Sequence, residues 1–260
     1  MINKLIPKDN LYLESGLCLL DLVKDSYKNG KKVFLLITGG SSIQALKPFA
    51  EWLNKYHERL DDELVVTLTD ERYSNDLYYV DSNAKQINDQ IKVFIEDKHE
   101  IGLIDLVENS GGYKGIFERI NHGSPKIEEI NSYEHLLQKY LNNDEYTKIG
   151  IFGIGGDSHI SGILPFIQNE NKFIHEFQST NLCSGYELPF ESTSFTDRIT
   201  TTLTALLKIN HSIITISGAQ KQEALQVAID NTFEYIYKTP ASILKKMQNV
   251  VIFSDLVIKI

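Results

Sequence analysis

The sequence predicts an α/β fold organised around one doubly wound, mostly parallel sheet. Short apolar runs of strand length alternate along the chain with segments of helical periodicity, an order that is typical of parallel strands joined by crossover helices. No internal repeat, linker or low-complexity tract divides the 260 residues. These observations favour a single domain over residues 1–260.

Three strands with accompanying helices are predicted in the first part of the chain. Leu13, Leu17 and Leu20 recur at helical spacing before Asn29-Gly30, which predicts a helix over 11–28. Apolar runs predict strands at 33–37, 64–68 and 147–152, and helices are expected at 42–56, 83–95 and 130–141. A weaker strand is predicted near 101–106, with glycine turns at 111–112 and 123–125.

The remaining elements continue the alternation. Residues 172–177 predict a strand, and the stretch that begins at 197 predicts a helix ending near 207. A buried strand is expected at 211–216, a helix from about 222 and a last strand at 249–253.

Charge and composition restrict the possible partners. The net charge of −9 argues against nucleic acid or an anionic membrane surface as the main partner, so an anionic substrate must meet a local cluster of cations. Cys18 and Cys183 form neither metal-ligand spacing nor a disulfide framework, as expected in a reducing compartment. The first ten residues lack the apolar core of a signal peptide, and no apolar run approaches the ~20 residues of a membrane span. We therefore expect a soluble, cytoplasmic protein.

The loop at 153–165 is the first candidate site. Gly153, Gly155 and Gly156 follow the strand at 147–152, and Asp157 and His159 come directly after them. Glycines let a ligand approach the backbone closely, and ligands of open parallel sheets bind beside the carboxyl ends of the strands. The alternative is that His159 is a surface residue and Asp157 a helix N-cap.

A second candidate is the loop Gly39-Gly40-Ser41-Ser42, which lies between the strand at 33–37 and a predicted helix. Free N–H groups at a helix start favour an anion, and hydroxyls can donate to it, which is typical of phosphate binding. A serine N-cap after a tight turn would explain the same residues. The loop matches neither the dinucleotide nor the Walker pattern.

Charged residues follow two further strands. Asp70 and Arg72 come directly after the strand at 64–68, where arginine is suited to bidentate phosphate contact, although solvated surface charges are the alternative. Lys221 lies in the first turn of the helix after the strand at 211–216, behind a small-residue loop.

Four motifs in a fixed order resemble the 6-phosphogluconolactonase family. They are Gly39-Gly40-Ser41; Asp70-Glu71-Arg72 followed by Asp81-Ser82-Asn83; Gly153-x-Gly155-x-Asp157-x-His159 closing at Pro165; and Arg198-Ile199-Thr200 followed by Gly218-x-x-Lys221. The resemblance spans residues from about 10 to 255. It implies the three-layer α/β architecture shared with glucosamine-6-phosphate and ribose-5-phosphate isomerases.

The resemblance also implies hydrolysis of 6-phospho-D-glucono-1,5-lactone to 6-phosphogluconate. His159 would be the general base, because an imidazole titrates near neutral pH, and Asp157 would orient it. The backbone N–H groups of Gly155 and Gly156 would meet the oxyanion. The phosphate would be held by Gly39, Gly40, Ser41, Ser42, Arg198 and Lys221.

Other details of the implied site are less specific. Arg72 would contact the phosphate or the sugar acid, and Asp70 would position Arg72 or bind sugar hydroxyls. No cofactor or metal is expected, since an activated water suffices and the seven histidines show no ligand spacing. The expected partner is a small phosphosugar lactone, with no nucleic acid and no membrane, and the protein is expected to be a monomer or homodimer.

Departures from the family motifs leave two alternatives. Ser158 stands where the family loop has glycine; at positive φ it would cost roughly 1–2 kcal/mol and could displace His159. This leaves open a sugar-phosphate-binding protein with weakened catalysis. The other alternative is a glucosamine-6-phosphate isomerase/deaminase-like enzyme, but Leu164 stands where those isomerases carry a proton-transferring glutamate, and Arg72 where they carry tyrosine.

Overall fold

Two sheets and their helices make up the computed structural model, which describes residues 2–5, 8–56, 60–76, 81–94, 103–108, 115–188, 196–230 and 235–257. Its strands are β1 (Ile2–Leu5), β2 (Lys32–Ile37), β3 (Leu64–Leu68), β4 (Asp70–Arg72), β5 (Ile116–Glu118), β6 (Tyr146–Gly153), β7 (Cys183–Glu187), β8 (Asp197–Thr201), β9 (His211–Ile216) and β10 (Val250–Ser254).

The α-helices are α1 (Lys8–Lys28), α2 (Lys47–Lys55), α3 (Asn83–Phe94), α4 (Leu103–Glu108), α5 (Lys126–Leu141), α6 (Glu170–Phe177), α7 (Leu203–Leu206) and α8 (Gln222–Ile229). Short 3₁₀ helices cover Gly40–Leu46, Asp61–Glu63, Ala219–Lys221 and Pro240–Lys245. No helix in the described ranges is both long and apolar enough to cross a membrane.

The larger sheet is parallel throughout and has the strand order β1-β10-β9-β6-β2-β3-β5. Every residue of β3 and all but the first of β2 are buried, as expected for strands covered on both faces by helices. The chain runs outward in one direction from β2 through β3 to β5, and in the other from β6 through β9 to β10. Because the order reverses between β2 and β6, their carboxyl ends form the crevice where such folds bind ligands.

The smaller sheet is antiparallel and has the order β4-β8-β7. Its β4 is separated from the end of β3 by the single residue Thr69, so it extends from the carboxyl edge of the larger sheet. In the β4–β8 register Asp70 lies opposite Thr200, and Arg72 lies opposite Arg198. Two motifs that are far apart in sequence are thereby brought together at the crevice.

The structure confirms the α/β class, the parallel sheet and its five main predicted strands. It also contradicts several predictions. The predicted strand at 172–177 is part of α6, because Phe173 and Phe177 are buried at helical spacing and Asn169 caps the helix by accepting from the Lys172 N–H. The helix predicted from 197 is wrong in its first part, which is β8; only Leu203–Leu206 is helical.

Three further predictions need correction or cannot be compared. The weak strand predicted near 101–106 is wrong where the chain is described, because Leu103–Glu108 forms α4. The helix predicted at 42–56 begins as the 3₁₀ helix Gly40–Leu46 before α2. The turn predicted at 111–112 lies outside the described residues.

Candidate active site

A cleft of about 390 Å³ lies at the carboxyl ends of β2 and β6. It is lined by Thr38, Gly39, Gly40, Ser41, Ser42, Asp70, Arg72, Asn83, Gly153, Ile154, Gly155, Gly156, His159, Ser161, Gly162, Arg198 and Lys221. All the site residues predicted from the sequence line this cleft except Asp157, which is hydrogen-bonded to His159. The motifs predicted separately along the chain form one site.

The loop after β6 is anchored by buried isoleucines. Ile160 forms bridges with Ile154 and Ile163, and all three are at most 1% exposed. The residues between Ile154 and Ile160 form a tight loop. It is closed by hydrogen bonds from Gly155 N–H to the His159 carbonyl (3.0 Å) and from Ser158 N–H to the Gly155 carbonyl (3.0 Å). The apolar anchors thus hold the polar residues at the cleft.

His159 and Asp157 form a hydrogen-bonded pair. The distance from His159 Nδ1 to Asp157 Oδ1 is 2.5 Å, and the His159 backbone N–H donates to the same oxygen at 3.2 Å. Because a carboxylate only accepts, it selects the Nδ1–H form of the ring, whose Nε2 is then an acceptor on a side chain that lines the cleft. Burial acts to raise the pKa of Asp157, but the hydrogen bond and charge of His159 outweigh it, and the pKa lies below its usual value.

Gly155 provides the surface on which the imidazole lies. A Cβ built on Gly155 would stand 2.1 Å from both Nδ1 and Cε1 of His159. A glycine is required here by this close approach. The Gly155 N–H donates to the His159 carbonyl, so the prediction that it meets an oxyanion is corrected. The Gly156 N–H has no hydrogen-bond partner among the described residues and remains the candidate donor.

The two serines of this loop have left-handed backbones. Ser158 has φ of 68° and Ser161 has φ of 52°, a region that an L-residue occupies at a cost of about 1–2 kcal/mol. The Ser158 carbonyl accepts from the Ala241 N–H at 2.9 Å, which holds this conformation. The strain anticipated from Ser158 is therefore present, while His159 still lies in the cleft.

Replacement of Ser158 by glycine is expected to stabilise the fold. Ser158→Gly removes the Cβ strain at φ of 68°, and we expect it to raise the free energy of unfolding by up to about 1 kcal/mol after the greater chain entropy of glycine is subtracted. Urea denaturation measures this change. Ser158→Ala keeps a Cβ and is the control; equal stability of the Gly and Ala variants would contradict the strain.

The loop after β2 is held by its own hydroxyls. Ser42 Oγ lies 2.9 Å from Thr38 Oγ1 and donates to the Gly39 carbonyl at 3.0 Å. Gly40 has φ of 75°, and Ser41 is exposed at the start of the 3₁₀ helix. Ser42 is buried and its hydroxyl is directed into the loop, so the Ser42 side chain shapes the predicted phosphate-binding loop from within.

Asp70 is the centre of the opposite wall. Its Oδ2 lies 3.5 Å from Arg198 Nη1, and Asn83 Nδ2 donates to both its carbonyl (3.0 Å) and Oδ2 (3.2 Å). Of the two roles considered for Asp70, positioning of an arginine is seen toward Arg198, whereas Arg72 Nη1 donates to the Asp81 carbonyl at 2.6 Å. Asn83 was part of a motif in the sequence, but nothing there indicated that it lines the cleft.

Glu71, which the sequence did not single out as a site residue, supports this wall from behind. It is 2% exposed and accepts hydrogen bonds from the backbone N–H groups of Arg72, Asn83 and Ala84 and from Ser82 Oγ, at 2.7–3.0 Å. Burial raises the pKa of Glu71, and these four donors oppose the effect. The carboxylate joins β4 to the start of α3 and thereby positions Arg72 and Asn83.

Lys221 lines the cleft from the loop after β9. It ends a 3₁₀ turn after Gly218, whose φ of 100° requires glycine. Asp255 holds the turn by accepting from Ser217 Oγ (2.8 Å) and the Gly218 N–H (3.2 Å). Burial lowers the pKa of Lys221, and the negative charge of Asp157 opposes the change.

The arrangement provides a base, cations and N–H donors within one cleft. The sequence did not identify Thr38, Ile154, Ser161 and Gly162 individually as lining residues, although all lie inside or next to its motifs. Within the described ranges, no group of three or more His, Cys, Asp or Glu side chains is arranged to hold a metal ion.

Comparison with solved structures identifies the architecture. The 6-phosphogluconolactonase structure from Thermotoga maritima has a TM-score of 0.71 at 18% identity, covering 97% of this chain and 98% of that one. The one from Shewanella baltica has a TM-score of 0.72 at 17% identity, covering 98% and 97%. The one from Trypanosoma brucei has a TM-score of 0.69 at 14% identity, covering 97% and 95%. At these identities the likeness establishes the fold.

Sequence similarity identifies the family of the chain. A search of curated proteins gave no match. The family model described as glucosamine-6-phosphate isomerases/6-phosphogluconolactonase matches residues 8–253 and so spans nearly all of the chain. The chain therefore belongs to the glucosamine-6-phosphate isomerase/6-phosphogluconolactonase family.

Proposed function

We propose that this protein is a cytoplasmic 6-phosphogluconolactonase, which hydrolyses 6-phospho-D-glucono-1,5-lactone to 6-phosphogluconate in the oxidative pentose phosphate pathway. The observation that carries the proposal is the His159–Asp157 pair, 2.5 Å apart, at a cleft whose walls bear Arg72, Arg198 and Lys221. The family and the 6-phosphogluconolactonases of the same fold support it.

His159 is the general base of the proposed reaction. Its Nε2 takes a proton from water as the water oxygen attacks the lactone carbonyl carbon, forming a tetrahedral oxyanion. The Gly156 N–H, which has no partner among the described residues, is the proposed donor to that oxyanion. When the bond from the carbonyl carbon to the ring oxygen breaks, the imidazolium returns the proton to the departing ring oxygen, and the acid product then ionises.

The phosphate of the substrate is assigned to the loop after β2 and the cations. The backbone of Gly40 and Ser41 at the 3₁₀ start offers N–H groups, as helix starts do for anions. Lys221 and Arg198 supply positive charge, with Arg72 on the phosphate or the sugar acid. This local set of cations compensates for the net charge of −9.

An isomerase/deaminase reaction is the second candidate, because the family includes glucosamine-6-phosphate isomerases. The residue that argues against it is Leu164, which is aliphatic, half-buried against the core and absent from the cleft lining. By resemblance to the isomerases, that reaction requires a proton-transferring side chain at this position. The aliphatic side chain of Leu164 cannot transfer a proton.

One pair of assays tests the proposal. The purified protein is given 6-phosphogluconolactone, with correction for spontaneous opening, and separately glucosamine 6-phosphate. Lactone hydrolysis well above background without deamination supports the proposal. Deamination alone identifies an isomerase, and calorimetric binding of 6-phosphogluconate with neither activity identifies a binding protein; either result rejects the lactonase.

Asp157→Asn is expected to lower kcat/KM for the lactone about tenfold, because the amide cannot stabilise the imidazolium as a carboxylate does. The pKa of Asp157 is below its usual value, so the carboxylate stays charged as the pH falls through weak acid. The amide should therefore remove this stabilising charge throughout the range from about pH 5 to 8. An unchanged kcat/KM in stopped assays over that range would count against the pairing.

A further inference from the structure

Ser161 is a buried serine at the cleft whose side-chain hydroxyl makes no hydrogen bond with the residues that the structure describes. It lines the cleft and is 3% exposed, and its Oγ has no hydrogen-bond partner within the described part of the chain. Buried hydroxyls are normally hydrogen-bonded. The Oγ is itself shielded in this rotamer, so a rotation about χ1 is what presents the unpartnered hydroxyl to a group that enters the cleft.

The backbone around Ser161 is fixed by side chains of the smaller sheet. Thr200 Oγ1 donates to the Ser161 carbonyl, and Tyr186 Oη donates to the next carbonyl, that of Gly162. These contacts hold Ser161 at φ of 52° and Gly162 at φ of 68°. With the backbone fixed, the direction of the Ser161 hydroxyl depends on a single torsion, χ1. Strained residues of this kind gather at binding sites.

The surroundings of Ser161 indicate which chemical group it meets. Gly162 lies against Asp70, since a Cβ at Gly162 would stand 2.6 Å from Asp70 Oδ2. A hydroxyl can donate to Asp70 and accept from Ser161 at the same time, whereas a carboxylate or a phosphate dianion has no proton to donate to Asp70. The neighbouring group of the ligand should therefore be an alcohol.

Asn83 orients Asp70, while its own Oδ1 lies against Gly39, 2.5 Å from where a Cβ on Gly39 would stand. Its Nδ2 faces two acceptors, the carbonyl and the carboxylate of Asp70, which sets the orientation of the amide. Its Oδ1 is buried and has no partner among the residues the structure describes. Because Nδ2 donates to Asp70, the amide fixes this carboxylate as an acceptor for a ligand hydroxyl.

We propose that Ser161 is a specificity-determining residue that hydrogen-bonds one secondary hydroxyl of the sugar acid, next to Asp70. The proposal rests on the proposed lactonase function and adds that the protein discriminates against the lactone lacking that hydroxyl. The phosphate is bound elsewhere, at the loop after β2, so Ser161 acts on the sugar body.

The test combines variants with substrates. kcat/KM is measured for wild type, Ser161→Ala and Ser161→Gly on 6-phosphogluconolactone and on its 2-deoxy, 3-deoxy and 4-deoxy analogues. We expect both variants to lower kcat/KM for the parent lactone about 5–10-fold, the loss of one hydrogen bond. For one deoxy analogue the variants should match wild type within about twofold, because the partner hydroxyl is already missing.

Ser158→Ala is the matched control, since Ser158 is a buried serine at positive φ in the same loop but does not line the cleft. It should change the rates on all four lactones by one common factor. Ser161→Gly relieves the left-handed strain and keeps the test valid if Ser161→Ala folds poorly. A common factor for the Ser161 variants, or no loss, overturns the proposal.

A failure of the proposed function gives a different result. If wild type hydrolyses none of the lactones, the lactonase function is rejected. Calorimetric binding of 6-phosphogluconate and its three mono-deoxy analogues then tests whether Ser161 contacts a ligand hydroxyl. A weaker Kd of the Ser161 variants for all ligands except one analogue supports the hydroxyl contact. A uniform change, or none, rejects it.

Discussion

His159→Ala is expected to lower kcat for 6-phosphogluconolactone at least about 100-fold, the contribution of a well-placed general base. The imidazole is held by two hydrogen bonds to Asp157 Oδ1, at 2.5 Å through Nδ1 and 3.2 Å through the backbone N–H. Removing the ring leaves Asp157 as the titratable side chain of that loop, and Asp157 is not among the residues that line the cleft. The measurement is the enzymatic rate near neutral pH after subtraction of spontaneous lactone opening.

Two controls separate loss of the base from loss of the fold or of binding. His175 on α6 is 86% exposed and outside the cleft lining, so His175→Ala should retain the wild-type rate. Calorimetric affinity of His159→Ala for 6-phosphogluconate should stay within about tenfold of wild type, since the phosphate contacts are elsewhere. A wild-type rate in His159→Ala would remove the histidine from the mechanism.

The larger sheet could be predicted from the sequence because its signal is local. Strands such as β2 and β3 are continuous apolar runs, and they are buried along almost their whole length. The glycine-rich loops that follow β2 and β6 also carry a local signal, because their composition indicates close approach of a ligand. The two loops lie side by side because β2 and β6 are neighbouring parallel strands. The alternation of strands and helices in the sequence already favours a parallel sheet.

The smaller sheet could not be predicted in this way, because its strands are defined by their partners. β8 (Asp197–Thr201) contains two charged residues, one isoleucine and two threonines, and therefore has no apolar run. It is a strand because β4 and β7 pair with it on either side. Tertiary pairing decides the conformation of such segments. The Asp70–Arg198 ion pair, at 3.5 Å, follows from that register.

The details of the candidate site depend on distances that motifs do not contain. The sequence suggested that Gly155 and Gly156 act alike, yet the Gly155 N–H is bonded to the His159 carbonyl. It likewise placed Glu71 between two functional residues without showing that Glu71 is buried and joins β4 to α3. Residue type indicated the region in each case, and the hydrogen bonds distinguish the roles.

Gly155→Ala is expected to lower kcat about 100-fold while the protein stays folded. A Cβ on Gly155 would stand 2.1 Å from His159 Nδ1 and 2.7 Å from Asp157 Oδ1, so the pair must move. Both atoms belong to half-exposed side chains that can turn toward solvent, and the fold therefore loses little stability. Displacement of the base by an ångström or more is sufficient for a loss of this size. Lactone hydrolysis and urea denaturation of the variant measure the two effects.

Gly156→Ala is the matched control at the next position. Its Cβ would stand 3.7 Å from the Gln220 carbonyl, an ordinary contact, and alanine keeps the N–H proposed to meet the oxyanion. We expect a loss of less than about tenfold, since the donor is retained. If the imidazole of His159 acts from its observed place on Gly155, the two alanines must differ by tenfold or more. Equal losses would show that the loop tolerates or rejects a methyl group regardless of His159, and the base would then lie elsewhere.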